Sequence, residues 1–345
     1  MKLVQSAAWA AGILTLISTG CMRPAGIVFP QPATTIAWPL PPAAPRIRFV
    51  GELRSSTDLK PARTGWQTLS TALGGSSTQP ISFTTPSAIA TGPDNRIYVV
   101  DTAAAGLHII DLTRRTHVRI LEANGQRLRS PVGVAVGNSR VYVSDAVLGG
   151  VFEFDLAGAF RRRIGANIKR PGGVAFCPAN HRLYVVDTGD HRCVVFDEDG
   201  QEYQAFGERG SQSGAFNYPT HITYHPSVGI LISDTLNFRV QRFTPDGTFV
   251  SALGKKGDAA GDFSLPKGLA VDSDGHIYVV DAHFENVQVF RPDGQLLLAF
   301  GGEGSGHGEF SIPSGLAING HNRIWVADSH NSRVQVMEYI SRTQP

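Results

Sequence analysis

The chain has 345 residues, a net charge of +2 from 31 Lys and Arg against 29 Asp and Glu, and 42% hydrophobic residues. This apolar content is sufficient for a buried core and excludes a disordered chain, while the near-zero net charge argues against a nucleic-acid-binding protein. With 38 Gly and 21 Pro, the composition favours many short strands joined by turns over a helical bundle.

Residues 1–21 have the pattern of an export signal. Lys2 precedes an apolar stretch, Ala7 to Ile17, which is too short to span a bilayer but suits a signal h-region. The small residues before Cys21 resemble the lipobox of bacterial lipoproteins, although Ser18 stands where that family usually has Leu. The resemblance implies lipidation at Cys21 and, from Met22, an outer-membrane or periplasm-facing lipoprotein of the bacterial envelope. An ordinary secretory signal with an unmodified cysteine is the alternative.

Residues 22–45 form a proline-rich segment with seven prolines. Such a segment favours polyproline II, which extends by ~3.1 Å per residue. We expect a tether that holds a globular body clear of a lipid surface.

The body of the chain, residues 46–345, repeats one unit six times. Each copy contains an apolar strand that ends in Asp, and successive copies are 42 to 47 residues apart. The six positions are Asp101, Asp145, Asp187, Asp234, Asp281 and Asp328. A proline opens an earlier strand in each copy, and an alternating strand and a turn such as PDG follow the Asp. Four short strands per ~45 residues are typical of a propeller blade, so the sequence predicts an all-β, six-bladed β-propeller.

The N-terminal strand is predicted to close the ring. Residues 46–53, RIRFVGEL, match the fourth-strand pattern but have no blade before them, whereas the last repeat ends after its third strand. Residues 54–85 are an insertion in which Trp66, Leu69 and Leu73 have helical spacing. We expect a short helix packed across the propeller face or its central opening, with a partner-binding helix as the alternative.

The repeats resemble the NHL repeat, most closely in DTLNFRVQRF after Ser233 and DSHNSRVQVM after Ala327. The resemblance covers roughly 290 residues. The proline-rich lead into PRIRFVGEL is also similar to bacterial NHL-propeller lipoproteins. Relatives with this repeat act as sensors, scaffolds and interaction modules, which implies a protein or envelope-polymer partner here.

An Asp–Arg pair recurs five residues apart between the second and third strands. It could supply charged ligands on one face, but its periodicity favours a bridge between strands that fixes the turn. The pairs are Asp187 with Arg192, Asp234 with Arg239, and Asp328 with Arg333. Cys177 and Cys193 fall on the first and third strands of one blade, about 9.5 Å apart and beyond the ~7 Å reach of a disulfide. We therefore predict two buried free thiols.

Two classes of propeller enzyme resemble this fold, and each has its own set of metal ligands. Amidating-lyase propellers resemble this fold and hold zinc with histidines directly after the strand-opening proline. The corresponding residues here are Ser87, Val132, Gly172, Thr220, Lys267 and Ser314. His221 lies one residue further on, and we interpret it as a hydrogen-bonded channel residue rather than a ligand. The Glu, Asn and Asp set of gluconolactonase-like propellers has no match. We expect no metal or cofactor, and the alternative is a metal-dependent propeller enzyme of either type.

Basic residues cluster between positions 106 and 175, which hold 11 Lys and Arg against 5 Asp and Glu. The densest group is Arg161, Arg162, Arg163, Lys169 and Arg170. The three consecutive arginines lie on a predicted outermost strand, where solvation is the ordinary explanation. The alternative is a patch for an anionic envelope polymer or an acidic protein surface.

The expected function is that of an exported, lipid-anchored, non-catalytic binding scaffold for an envelope protein or anionic polymer. The turns before first strands and those between second and third strands should emerge on one face. The candidate contact residues on this face are Thr220, His221, Asn237, Phe238, Lys267, His283, Phe284 and His330. Phe238 and Phe284 are expected to be exposed.

Overall fold

A computed structural model describes residues 24–30, 32, 34–62, 79–165 and 168–340. Six antiparallel sheets are arranged as the blades of a propeller, and the first strand of each blade packs against the first strands of the neighbouring blades. The prediction of an all-β, six-bladed propeller is confirmed. Within the described ranges, no helix is long and apolar enough to cross a membrane.

The blades are numbered in chain order, and their strands run from the inside outward. Blade 1 contains Pro86–Thr91, Arg96–Asp101, Gly106–Asp111 and Thr116–Ile120. Blade 2 contains Pro131–Gly137, Arg140–Asp145, Gly150–Asp155 and Phe160–Ile164. Blade 3 contains Pro171–Cys177, Arg182–Asp187, Arg192–Phe196 and Glu202–Phe206. Blade 4 contains Pro219–His225, Gly229–Asp234, Arg239–Phe243 and Phe249–Leu253. Blade 5 contains Pro266–Val271, Ile277–Asp281, Asn286–Phe290 and Leu296–Gly301.

Blade 6 closes the ring. Its inner strands are Pro313–Ile318, Arg323–Asp328 and Arg333–Tyr339, and its fourth strand is Ile47–Leu53 from the N-terminal part of the chain. The predicted closure is therefore confirmed. Ala37–Trp38 adds a fifth strand outside it, which the sequence did not predict. Smaller elements are the hairpin Glu122–Ala123 with Gln126–Arg127 and the 3-10 turns Ser56–Leu59 and Thr235–Asn237.

The sequence pattern explains the order of the strands in each blade. Second strands such as Arg182–Asp187 are apolar at almost every position because neighbouring blades cover both of their faces. Outermost strands such as Phe249–Leu253 alternate in exposure because one of their faces meets solvent. Each first strand begins at proline, which lacks an amide hydrogen and is tolerated at the first position of a strand.

The core is divided among the six junctions between blades. One cluster of buried side chains lies at each junction. Val185, Val279, Phe243 and Phe290 belong to these clusters and are at most 1% exposed. Cys177 and Cys193 are both buried and free, as predicted.

Hydroxyl groups link blades next to the buried Asp residues. At four junctions, the residue directly after that Asp donates to the carbonyl of the proline that opens the next blade. These bonds are 2.7–2.9 Å long and join Thr102 to Pro131, Thr188 to Pro219, Thr235 to Pro266 and Ser329 to Pro86. Ala146 and Ala282 occupy the same position in blades 2 and 5, and Ser144 links blade 2 to the carbonyl of Gly172 instead.

The proline-rich segment differs from the extended tether expected between residues 22 and 45. Phe29 packs edge-on against Trp325, with ring centroids 6.0 Å apart, and Trp38 packs against Phe300 at 5.6 Å. Because these aromatic side chains bury apolar surface on the blades, the described part of the segment lies against the propeller. Of the insertion, residues 63–78 lie outside the described residues, including the candidate helix with Trp66, Leu69 and Leu73.

Candidate binding face

The turns between second and third strands and the segments that lead into first strands form one face of the propeller, here called the turn face. The Asp at the end of each second strand organises it. Asp281, fully buried, accepts hydrogen bonds from the amides of Ser264 and Leu265 in the lead-in segment, at 2.7 and 3.1 Å. It also accepts from the amides of His283 and Phe284 in the turn, at 3.0 and 3.1 Å. The carboxylate thus fixes both segments, and their amides compensate for its burial.

The repeated arginines lie across the strands from these carboxylates. The Arg–Asp distances are 2.8 Å for Arg239 with Asp234, 2.6 Å for Arg333 with Asp328, and 3.8 Å for Arg192 with Asp187. Arg239 and Arg333 hydrogen-bond their Asp, whereas Arg192 lies only within ion-pair distance of Asp187. Because each Asp is buried within its blade, these residues are part of the scaffold that supports the turn face.

The Arg333 side chain extends this network to the closing strand. It is 1% exposed, and it contacts Glu52 at 2.8 Å as well as Asp328. Its remaining donors bind the carbonyls of Gly306 and Glu309. Two carboxylates therefore compensate its charge inside blade 6, where the strand Ile47–Leu53 pairs with Arg333–Tyr339.

Four of the predicted contact residues lie near the axis or in the turn network. The Thr220 and Thr235 hydroxyls are 2.6 Å apart, and Thr220 also contacts His221 at 3.0 Å. Asn237 donates to Asp234 and to the carbonyl of Gly210, both at 2.8 Å. Lys267 is partly buried, and this burial lowers the pKa of its ammonium group. These side chains are held in place by neighbours and offer little free surface.

The two phenylalanines are less exposed than expected. Phe238 has a φ of 57°, which turns its ring toward the junction of blades 4 and 5, and the ammonium of Lys256 lies 5.2 Å from the ring centroid. Phe284, which lies beside His283, is likewise half-buried rather than exposed. His283 and His330 are exposed, as the contact hypothesis needs.

The turn face also carries exposed apolar side chains in two clusters that the sequence pattern did not predict. The first, here called the Tyr218 cluster, contains His191, Tyr218 and Leu236. Tyr218 is 42% exposed, Leu236 is 41% exposed, and the ring of His191 meets that of Tyr218 edge-on at 5.0 Å. The amide of Leu236 donates to the carbonyl of Asn217, which joins the turn that carries Leu236 to the lead-in segment that carries Tyr218.

The second, here called the Ile312 cluster, places Ile312 beside Glu285 in the turn of blade 5 and His330 in the turn of blade 6. Ile312 is 37% exposed and has a φ of 43°, which is rare for a β-branched residue. Its amide donates to Glu285 at 3.1 Å, and the amide of His330 donates to Ser311. Tyr218 and Ile312 occupy the same repeat position, directly before the proline, a signal that an alignment of the six repeats could have revealed.

The centre of the ring is lined by first strands and is narrow. The third residue of each first strand is small in five blades because the strands approach one another closely. These positions are Ala88, Gly133, Gly173, Gly268 and Gly315, with His221 in blade 4. A Cβ added at Gly268 would lie 2.3 Å from the carbonyl oxygen of Ser314. The remaining central cavity measures about 40 Å³.

His221 is thus a channel residue. Burial, with a smaller contribution from Lys267, lowers the pKa of its imidazole to about 3, so the ring is neutral at pH 7. Within the described part of the chain, no group of three or more His, Cys, Asp or Glu side chains is placed to hold a metal ion.

The basic cluster lies on the outermost strand of blade 2, as predicted, and on the segment after it. Arg161 contacts Asp155 at 2.8 Å, Arg162 contacts Glu153 at 2.7 Å, and Lys169 contacts Asp190 at 2.9 Å. The guanidinium of Arg163 lies over the ring of Phe152, and Arg170 is exposed. Three of the five cations are therefore paired with carboxylates, which reduces the positive potential available to a polymer.

In blade 1 a buried histidine, hydrogen-bonded to a half-buried one, replaces a glutamine found in three other blades. In blades 4 to 6 this position is Gln241, Gln288 or Gln335, whose side-chain amides bind lead-in carbonyls. In blade 1 it is His108, whose Nδ1 lies 2.8 Å from Nε2 of His117. The buried Nε2 of His108 has no hydrogen-bond partner among the described residues.

These histidines make stability sensitive to acid. Burial lowers the pKa of His108 to about 3 and that of His117 to about 4, with a smaller effect of their positive neighbours. An unfolded chain binds both protons near pH 6.5, whereas the folded chain resists them until pH 3–4. The stability they contribute is therefore present above pH 6.5 and falls by roughly 1 kcal/mol per pH unit for each histidine below it.

We expect His108→Gln to flatten this dependence, because glutamine is the residue used at this position in blades 4 to 6. The measurement is the melting temperature between pH 7 and pH 4.5. His283→Gln, at an exposed position, should keep the wild-type slope. Equal slopes for His108→Gln and the wild type would contradict the assignment.

Comparison with known proteins identifies the repeats. The model of the NHL repeat matches residues 263–291 and 310–337. Over 64 residues, 19% of this chain, the sequence is 33% identical to the human E3 ubiquitin-protein ligase NHLRC1 and 32% identical to its rat counterpart. The match spans 16% of the length of either relative.

Solved structures with the same fold include a lyase and a nutrient binding protein. A streptogramin B lyase superimposes with a TM-score of 0.58 at 12% identity, covering 75% of this chain and 94% of that one. An auxiliary nutrient binding protein from Bacteroides ovatus ATCC 8483 superimposes with a TM-score of 0.58 at 15% identity, covering 75% of this chain and 70% of that one. At these identities the likeness shows the fold alone.

Proposed function

We propose that this six-bladed propeller of NHL repeats is an exported, lipid-anchored scaffold that binds an envelope protein through its turn face. The observation that carries the proposal is the exposure of three large apolar side chains on that face. Tyr218 and Leu236 in one cluster and Ile312 in the other present large apolar side chains to solvent from a rigid ring. Exposed apolar groups surrounded by polar ones are typical of protein contact sites.

A protein partner fits these features better than an anionic polymer. Aromatic and aliphatic anchors supply most of the affinity at protein interfaces, while a polyanion needs unpaired cations. Three of the five residues in the basic cluster are engaged by carboxylates. The buried Asp residues beneath the turns hold the clusters in one conformation, which lowers the entropic cost of binding.

The test is crosslinking capture from native membranes. Tyr218→Asp combined with Leu236→Asp places charge in the Tyr218 cluster, at positions already exposed, so folding should be kept. We expect recovery of the specific partner to fall at least tenfold. Val250→Asp is the matched control, since Val250 is 45% exposed but lies on an outermost strand. Unchanged recovery with the double variant would rule out this face.

The anchor is tested in the same experiment. Cys21 lies outside the described residues, and the proposal rests on the sequence before it. Cys21→Ser should move the protein from the membrane fraction to the soluble exported fraction and abolish incorporation of labelled fatty acid. Continued membrane association without the label would mean that partner binding, rather than lipid, holds the protein there.

A further inference from the structure

Six short segments of blades 2 to 4 form a connected surface on the turn face, here called the blade 2–4 arc. It consists of residues 129–130, 146–149, 168–170, 188–191, 217–218 and 235–238. Within each of these blades, an amide in the turn donates to a carbonyl of the lead-in segment. These bonds are 2.8–3.0 Å long and join Ala146 to Ser130, Thr188 to Arg170 and Leu236 to Asn217.

Contacts between blades make the arc continuous. The turn of blade 2 lies against the lead-in segment of blade 3, where a Cβ added at Gly149 would be 3.0 Å from the carbonyl oxygen of Ile168. The amide of Tyr218, in the lead-in segment of blade 4, donates to Nδ1 of His191, in the turn of blade 3, at 3.1 Å. A partner that lies on one of these segments therefore also adjoins the next.

Exposed apolar side chains lie at both ends of the arc. Val147 is 57% exposed in blade 2, and Tyr218 and Leu236 are 42% and 41% exposed in blade 4. The amide of Val147 donates to the buried carboxylate of Asp145 at 3.1 Å, so this side chain is presented by a fixed turn. Isolated exposed apolar residues are ordinary on a protein surface, whereas three on one connected and rigid arc indicate a contact surface.

An exposed arginine lies between these apolar side chains. Arg170 belongs to the lead-in segment of blade 3, and a Cβ added at Gly189, in the turn of the same blade, would be 3.1 Å from the Arg170 Cβ. Arg129, at the blade 2 end of the arc, is also exposed. Neither arginine forms an ion pair among the described residues, and the residues outside those ranges contain no Asp or Glu. Both charges therefore lack a side-chain carboxylate partner.

The remaining charges of the arc compensate each other. Asp190 is its single acidic residue, and its carboxylate lies 2.9 Å from Nζ of Lys169. A basic partner would thus face two unpaired arginines and no free carboxylate of the arc, and such contacts between like charges are costly. An acidic partner would complement the same arginines, so the charges of the arc favour an acidic partner.

We propose that the blade 2–4 arc binds an acidic, amphipathic peptide segment of the partner protein. Its Asp or Glu residues pair with Arg170 and Arg129, and its apolar residues cover Val147, Tyr218 and Leu236. Apolar residues that dock on both sides of Arg170 remove water from its guanidinium, and a charge buried in this way needs an opposite charge beside it. The inference rests on the proposed function, because it names the partner chemistry of the same face.

Selection of displayed random peptides on the full chain tests this chemistry. We expect the selected peptides to carry Asp or Glu next to large apolar residues. By fluorescence anisotropy, Arg170→Glu should weaken their binding by at least about tenfold. Exchange of their acidic residues for Lys should restore binding to Arg170→Glu, because the two charges are then reversed together. Arg114→Glu is the matched control, since its side chain is 72% exposed in a turn on the opposite face.

Three results would overturn the inference. They are the absence of selected peptides, a selection without preference for acidic residues, and an affinity that is unchanged in Arg170→Glu. Polyphosphate is the competing probe, and if it bound as tightly as the peptides with the same dependence on Arg170, the arc would be a polyanion site instead. Partner capture by the variant with Tyr218→Asp and Leu236→Asp remains a separate readout. Reduced capture there without an acidic preference here would keep the scaffold and reject only the acidic segment.

Discussion

Asp328→Ala is expected to lower the free energy of unfolding by about 3–5 kcal/mol, because it removes one partner of a buried ion pair. The carboxylate accepts from the amide of Ser311 at 2.7 Å and from Arg333 at 2.6 Å. It also accepts from the side-chain amide of Gln335 at 3.0 Å. Without it, these donors stay buried and Arg333 keeps only Glu52 as a carboxylate partner.

The measurement for this prediction is urea unfolding, with melting temperature as a second readout. A drop on the order of 5–10 °C corresponds to the expected loss. Asp258→Ala, at an exposed position in the lead-in segment of blade 5, should change stability by less than about 0.5 kcal/mol. A loss below 1 kcal/mol for Asp328→Ala would show that water replaces the carboxylate, contrary to the buried network.

Replacement of residues 47–53 by a Gly/Ser segment of equal length is expected to abolish cooperative folding. This strand buries Ile47, Phe49 and Leu53 at 5% exposure or less, and Glu52 pairs with Arg333. Loss of three buried side chains costs up to about 10 kcal/mol, comparable to the whole stability of a domain. It also uncovers the edge of Arg333–Tyr339, which then becomes a template for aggregation.

A control replacement separates ring closure from the mere loss of a strand. Glu202–Phe206 is the outermost strand of blade 3, half-exposed, and the chain runs on through it to blade 4. The same Gly/Ser replacement there should leave a cooperative, less stable protein. Thermal unfolding and size-exclusion chromatography distinguish the two. Equal damage from both replacements would mean that closure by the N-terminal strand has no special weight.

The architecture could be predicted because repetition exposes it. Six strands ending in Asp predicted six blades. A fourth-strand pattern at residues 46–53, with no blade before it, predicted the closure of the ring. The fifth strand at Ala37–Trp38 could not be predicted, since a two-residue pairing has no sequence period. The packing of the proline-rich segment was also missed, because its composition favours extension whereas Phe29 and Trp38 bury their rings on the blades.

The candidate site was predictable only in part. The recurrence of Asp indicated a structural role, but its main partners are backbone amides, which leave no side-chain signature in the sequence. Phe238 was expected to be exposed because it lies in a turn, and its positive φ turns the ring inward. Tyr218 and Ile312, which directly precede prolines, also have a positive φ, but their side chains are exposed. No sequence pattern predicted a role for them.

The hydroxyl links between blades also make the ring mechanically uneven. Ala282 leaves the junction of blades 5 and 6 without the side-chain clasp that Thr235 or Ser329 supplies elsewhere among the described residues. Other bonds cross this seam, from the side-chain amide of Asn322 to the Ser273 hydroxyl and from the backbone amide of Ile312 to Glu285. Amide exchange along each of the six seams measures how far these bonds replace the missing hydroxyl link.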